Sequence, residues 1–353
     1  IVGYMAIGFG LSVANEHWGF LGQHGREIFE FMAKMGIIAL LFHIGLESDL
    51  GKLLEQLKLG GCIWVGNVVV AGAAGFGTAV WLLNLDLVAS VVVATAMTAT
   101  SVGIPSGVWE EKDAIETDDG QLFLDVAEMD DMSGVVLMAV LFSLLPQVKG
   151  GHGVTVAEVA RTLGLFAVSF VGFGALCVLF SRYVEERVTD FVQEREDLPE
   201  PMLLVAGIGI VIAAAAALLQ LSFAVGAFFA GLVFSRDPES VRIEASFDAV
   251  YELFAPFFFI GIGLRMSPGH LGGALLPALL LALAAVLGKL AGTSLPALLG
   301  RPWRSATVLG VSMVPRAEIT LIIVGAALEE HEVISEQTYA AMVLVSALTC
   351  ATA

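Results

Sequence analysis

Apolar and polar positions in this chain do not alternate; charged residues gather in short gaps between long apolar stretches. Uncharged runs extend over Leu59 to Leu85, Leu87 to Trp109, Thr162 to Ser181 and Met266 to Gly288. A hydrocarbon core of about 30 Å needs about 20 apolar helical residues, so each run is the size of a membrane crossing. Pro201 to Ser235 is long enough for two shorter crossings with a turn near Gln220. Counting stretches that hold a few charges, the pattern predicts twelve spans, near 1–13, 27–46, 59–83, 87–109, 120–146, 157–180, 201–218, 221–235, 246–264, 272–299, 305–328 and 336–353. Ala, Leu, Val and Gly dominate, with no period-two pattern. The predicted class is an all-α polytopic membrane protein rather than a barrel.

Composition narrows the function classes. Hydrophobic residues are 57% of the 353 and charged residues 15%, with a mean hydropathy of +0.86. A soluble surface needs roughly a quarter of its residues charged. A soluble enzyme, a disordered chain and a nucleic-acid binder are thereby excluded. The net charge of −18 also repels phosphate backbones. It fits attraction of cations and equally fits acidic loops that serve solubility. Cys62, Cys177 and Cys350 each lie in an apolar stretch and read as small packing residues, neither a disulfide framework nor a metal site. No signal peptide is visible, and a chain that opens on Ile1 and closes on an apolar run is expected to be trimmed at both ends. No cofactor is expected.

Loop charge sets an orientation. Loops after even-numbered spans hold Lys52, Lys58, Lys112, Arg182, Arg187, Arg195, Arg236, Arg242, Arg301 and Arg304; those after odd-numbered spans, with their flanks, hold Arg26, Lys149, Arg161 and Arg265. Ten against four places the even loops, and both ends of the sequence, on the cytoplasmic side. Lys34, Lys289 and Arg316 lie inside predicted spans; Lys34 has Glu30 at helical spacing and reads as a local pair.

Charges inside spans are costly and are usually paired or functional. Span five carries Asp125, Glu128, Asp130 and Asp131. Asp130 and Asp131 fall about ten residues from the cytoplasmic boundary, about 15 Å deep and so near the membrane centre. Asp125 and Glu128 are shallower, as in a water-filled vestibule. Lys289 in span ten and Arg316 with Glu318 in span eleven lie at similar depth. Adjacent helical residues diverge by about 100°, so Asp130 can meet Lys289 while Asp131 faces a cavity. A single buried pairing network is the other reading, and it is stronger for Arg316 with Glu318, because a paired guanidinium carries no protons.

Two spans are interrupted at that same depth. Span four reads TATSVGIPSG over 98–107, and span eleven reads VSMVPRAEIT over 311–320. Pro105 and Pro315 each remove a backbone donor, and Gly103 eases a break. Spans three to five and ten to twelve share the order plain, broken, closing helix. Their offset of seven spans makes them antiparallel, an inverted-topology repeat with two broken helices crossing at mid-membrane. Buried charges there can compensate the exposed helix ends. Thr100, Ser101 and freed carbonyls are candidate oxygen ligands for a hard cation; back-bonding to the helix is the alternative for both hydroxyls. His43 is a candidate pH sensor or a packed histidine.

The chain resembles the monovalent cation/proton antiporters, specifically the second cation/proton antiporter family and its NapA-type sodium/proton exchangers. The resemblance rests on FHIGLESD at 42–49, QLSFAVGAFFAG at 220–231, FAPFFFIGIGL at 254–264, MVPRAE at 313–318, and above all MDDMSG at 129–134, similar to the paired-aspartate motif of electrogenic members. It covers nearly the whole chain, 1–353, as one transporter domain. It implies a sodium/proton antiporter fold with a transport core of 59–146 and 272–353, a dimerisation scaffold of 1–46 and 201–264, and a linker helix at 157–180. The family commonly has thirteen spans with an outward start, so twelve spans and an inward start imply loss of the first. The implied function is secondary exchange of a monovalent cation, Na⁺ before K⁺, for protons by elevator-type alternating access in the cell membrane, as a homodimer in the lipid bilayer, with no enzymatic activity. Asp131 is the implied direct Na⁺ ligand, and Asp130 pairs with Lys289 when no Na⁺ is bound. A bile-acid-type sodium symporter shares the repeat architecture without this Asp-Asp and Lys set. A cation channel would need polar groups along a whole pathway rather than at one depth.

The orientation is checked by labelling. A cysteine at Ala114 resists a membrane-impermeant thiol reagent in intact cells and reacts after permeabilisation; ready labelling in sealed cells reverses the topology.

Overall fold

A computed structural model describes residues 1–19, 21–47, 59–149, 156–185, 201–219, 221, 223–235 and 240–351. These residues form fourteen helices and no strand. They are α1 (Val2–Trp18), α2 (Gln23–Glu47), α3 (Leu59–Gly77), α4 (Leu87–Ala96), α5 (Gly103–Glu111), α6 (Asp118–Lys149) and α7 (Val156–Phe180). Then follow α8 (Pro201–Leu218), α9 (Phe223–Phe234), α10 (Ser240–Leu264), α11 (Pro268–Ala297), α12 (Trp303–Ser312), α13 (Glu318–Glu329) and α14 (Glu336–Ala351). Spans four and eleven are the two that split, into α4 with α5 and α12 with α13. The turn expected at Gln220, and Ser48, Asp49, Lys52, Lys58, Arg187, Arg195 and Arg236, lie outside the described residues.

By length and composition, four of the described helices are long and apolar enough to cross a membrane: Gln23–Leu46, Leu59–Leu82, Ala160–Tyr183 and Pro268–Ala297. On α7, Leu165, Val168, Val171 and Leu176 point outward. A continuous apolar face of that kind is at home against lipid. The second and third of these helices differ in one respect from simple rods: a π-helical turn at Thr78–Leu82 extends α3, and another at Ser181–Glu185 extends α7.

The chain forms two compact units. One comprises Ile1–Phe20, Gly51–Leu141 and Ile262–Ala353; the other comprises Leu21–Leu50 and Phe142–Gly261. In the second unit, α2 and α9 cross backbone to backbone at two glycines. A Cβ on Gly45 would strike Phe228 O and Leu232 N, and one on Gly231 would strike Phe42 O and Leu46 N. These glycines belong to two of the segments singled out in the sequence, and their task is close helix approach. Phe170 and Phe173 of α7 pack edge-on against Phe229 of α9. His43 stacks on Tyr251 with centroids 4.6 Å apart, which is the packed arrangement for this histidine.

The first unit holds both broken helices. Asp86 starts α4 as an N-cap, its carboxylate accepting from the amides of Val88 and Ala89. After Ala96 the chain leaves the helix until Gly103, and after Ser312 it leaves again until Glu318. Pro315 has no amide to donate, and it disfavours helical backbone at Val314 before it. The two breaks meet: Ser101 N donates to Pro315 O at 2.8 Å, and Thr320 Oγ1 to Ala96 O at 2.8 Å. Helix α1 belongs to this unit, with Ser12 Oγ donating to Met266 O.

Helices α3 and α11 approach closely at Gly66, Gly288 and Gly292. A Cβ on Gly292 would lie 2.8 Å from Gly66 O and 3.0 Å from Asn67 Cα, and one on Gly288 3.1 Å from Ala71 Cα. This approach brings polar side chains of two otherwise apolar helices into hydrogen-bonding range. Gly292→Val therefore overpacks the crossing at a cost of about 1–3 kcal/mol. It lowers the melting temperature in detergent, whereas Gly272→Val, on the same helix but facing open space, does not.

Candidate functional site

The charged residues expected at mid-membrane converge where the breaks meet. Asp130 and Lys289 are fully buried and lie 2.7 Å apart, Oδ2 to Nζ. An ammonium has three N–H donors. Those of Lys289 go to Asp130 Oδ2 at 2.7 Å, Thr100 Oγ1 at 2.7 Å and Thr98 O at 2.5 Å. The Thr100 hydroxyl, accepting from Lys289, donates to Asp130 Oδ2 at 2.5 Å. Asn67 Nδ2 donates to Asp130 Oδ1 at 3.0 Å. The carboxylate thus meets three donors and the ammonium three acceptors. A buried ion pair is tolerable only when its remaining valences are satisfied in this way.

Asp131, one residue on and so about 100° further around the helix, is half-buried. Asp125 and Glu128 of the same helix are also half-buried. The pair is held from below by its own helix: Ser133 Oγ donates to Asp130 O, and Trp64 Nε1 donates to Ser133 Oγ at 3.0 Å.

Arg316 is fully buried and reaches across to the other break, where Nη1 donates to Met97 O and to Ala99 O. These carbonyls, with Thr98 O, end helix α4. Lys289 and Arg316 therefore place two cations on the negative end of a half-helix. Glu318 is half-buried and is the first residue of α13, where an acidic side chain faces the positive end. The Arg316 carbonyl is itself claimed by Ser346 Oγ at 2.6 Å and Cys350 Sγ at 3.2 Å. Ser101 is fully buried and its hydroxyl makes no hydrogen bond to protein.

The family model described as sodium/hydrogen exchanger, transmembrane, matches residues 1–353. The chain belongs to the sodium/hydrogen exchanger family. This exchanger is 27% identical over 307 residues to the high-affinity Na(+)/H(+) antiporter NhaS3 of Synechocystis sp., covering 85% of the chain and 64% of that relative. It is 24% identical over 351 residues to the Na(+)/H(+)-K(+) antiporter GerN of Bacillus cereus, covering 99% of the chain and 86% of the relative. Among solved structures, the sodium proton antiporter MjNhaP1 from Methanocaldococcus jannaschii matches with a TM-score of 0.71 at 14% identity, covering 99% of this chain and 94% of that one. The family is one of membrane transporters, not of enzymes.

Of the residues picked from the exchanger's sequence, the structure joins Asp130, Lys289 and Thr100 in direct contact. It brings Ser101 and Arg316 to the same crossing and leaves Asp131, Asp125, Glu128 and Glu318 at half-buried positions around it. Asn67 and Thr293 were not picked. Asn67 is the one amide in the body of the uncharged run from Leu59 to Leu85, the other, Asn84, standing at its end, and Thr293 is one helical turn after Lys289. A lone amide in an apolar span is the signal that could have found the first, and i to i+4 spacing from a buried lysine the second. The carbonyl of Thr98 has no side-chain signature at all.

Proposed function

We propose that this chain is a secondary active antiporter that exchanges a monovalent cation, Na⁺ foremost, for protons across the cell membrane. The observation that carries the reading is a fully paired Lys289–Asp130 couple beside the half-buried Asp131 at the crossing of two helix breaks. Asp131, the second aspartate of the pair at 130–131 and half-buried beside the held Asp130, is the residue that binds the cation directly. The Ser101 hydroxyl, buried with its lone pairs unused, is a neutral oxygen ligand of the kind a hard cation takes. Thr100 is occupied by the ion pair and joins only if that pair opens. Potassium is the second reading, favoured by the relative described as a Na(+)/H(+)-K(+) antiporter.

The same reading includes alternating access. The core of residues 59–146 and 272–353 carries every group of the site. It moves as one body against a scaffold of 1–46 and 201–264, linked by 157–180, and the scaffold forms the homodimer. Both ends of the sequence face the cytoplasm. Exchange carries net charge, because Asp131 and the Lys289–Asp130 pair together offer more than one proton per monovalent cation.

Two measurements in proteoliposomes test this. Asp131→Asn abolishes proton movement driven by Na⁺, K⁺ or Li⁺ while the protein stays folded; full exchange by that variant sinks the assignment. A potential imposed with potassium and valinomycin, without a pH gradient, drives Na⁺ uptake according to its sign, since one charge moving through 100 mV is worth about 2.3 kcal/mol. Lys289→Gln weakens that dependence. Na⁺ flux indifferent to potential refutes net charge movement and leaves antiport standing.

A further inference from the structure

Thr293 leaves α11 on the same face as Lys289, one turn further on. Its hydroxyl donates to Asn67 Oδ1 at 3.3 Å, and the other end of that amide, Nδ2, donates to Asp130 Oδ1 at 3.0 Å. Asp130 Oδ2 accepts from Lys289 at 2.7 Å. Four side chains from α3, α6 and α11 thus close a ring, and none is more than 1% exposed.

The ring has a direction. An amide has one accepting and one donating end. Because the Asp130 carboxylate only accepts, the amide nitrogen must face it, and Thr293 then donates to the amide oxygen; the flipped amide would set oxygen against carboxylate oxygen. Each carboxylate oxygen therefore has its own holder. Lys289 and Thr100 hold Oδ2, and Asn67 holds Oδ1. With Asn67 removed, Oδ1 would be a buried anionic oxygen without that donor, and a cation bound at the adjacent Asp131 would be the nearest means of satisfying it.

We propose that Asn67 is a positioning residue that holds Asp130 Oδ1 out of the coordination shell of the transported cation, so that the carrier offers one carboxylate, that of Asp131, to a monovalent ion. This rests on the cation/proton exchange reading above. Hard cations bind more tightly as carboxylate ligands are added, and divalent ions gain most. A carrier needs a site weak enough to release its ion on the far side. Asn67, pinned by Thr293, therefore sets affinity and charge selectivity without touching the ion.

The test is Na⁺-dependent proton flux by the full chain in proteoliposomes, with and without Ca²⁺, for the wild type and for Asn67→Leu, Thr293→Val and Thr293→Ser. Asn67→Leu lowers the KM for Na⁺ by about tenfold, the effect of gaining one modest ligand contact. It lowers kcat as well, because release slows, and it makes Ca²⁺ a competitor of Na⁺. Thr293→Val moves KM the same way by a smaller factor, since the amide is no longer pinned, and Thr293→Ser, which keeps the hydroxyl, rescues it. A folded Asn67→Leu variant whose KM for Na⁺ is unchanged or raised overturns the proposal. Should Asn67→Leu fail to fold, Thr293→Val decides on its own, and an unchanged KM there overturns it equally. A wild-type chain that moves no protons with any monovalent cation overturns the exchange reading and this inference with it, an outcome separate from a normal wild type with an unaltered variant.

Discussion

An ammonium and a carboxylate sit side by side in an apolar bundle, and the surrounding structure is arranged to make that possible. Isolated, either ion would lose several kcal/mol of hydration on burial. Here Lys289 and Asp130 recover it through one another and through Thr98 O, Thr100 and Asn67, so that each N–H of the ammonium has an acceptor and both carboxylate oxygens have donors. Every one of those partners has a structural precondition. Thr98 O is available because α4 stops at Ala96 and no later amide in a helix claims it. Thr100 reaches the pair because the chain is not helical between Ala96 and Gly103. Asn67 reaches it because α3 and α11 approach closely at Gly66 and Gly292, where no side chain separates the backbones.

The breaks themselves need the charges as much as the charges need the breaks. A helix that stops inside a membrane leaves carbonyls and amides with no water to satisfy them. At this crossing the ends are satisfied across the two chain segments: Ser101 N by Pro315 O, Met97 O and Ala99 O by Arg316, Thr98 O by Lys289, and Ala96 O by Thr320. Arg316 therefore has a role distinct from proton or cation traffic. It closes the C-terminal end of α4, and its own carbonyl is closed by Ser346 and Cys350 of α14. Cys350, which the sequence offered only as a small packing residue, is part of that closure.

How much of this was legible in advance depended on the kind of signal. Helical class and the two broken spans followed from apolar run length and from Pro105 and Pro315, because a long apolar run and a missing amide have few structural solutions. Asp130 with Lys289 followed from the cost of burying charge, which demands a partner at equal depth. For Arg316 the same logic offered a pairing with Glu318 and was silent on Met97 O and Ala99 O, the carbonyls of the opposite break to which its guanidinium donates. Carbonyls are present at every residue, and no sequence pattern says which ones a break will expose. Asn67 escaped for a related reason: an uncharged amide raises no alarm in a hydropathy pattern, yet it occupies one full side of the central carboxylate.

The adjacency of Asp130 and Asp131 is the remaining feature to place. Two carboxylates in consecutive positions cannot share a face of α6, so the helix itself sorts them into different surroundings. One faces α3 and α11 and is buried and held at both oxygens; the other is half-buried. The helix thereby sets a half-buried carboxylate beside one held at both oxygens, close enough for the two to feel each other electrostatically. A bound cation at Asp131 would then be balanced locally, with the Lys289–Asp130 pair neutral beside it. When the cation leaves, its positive charge must be replaced by a proton or by a shift within the pair, because a net negative site in an apolar bundle is costly. Under the proposed exchange, cation and proton compete for this crossing because an apolar bundle tolerates only one added positive charge there, and that competition is the physical content of antiport.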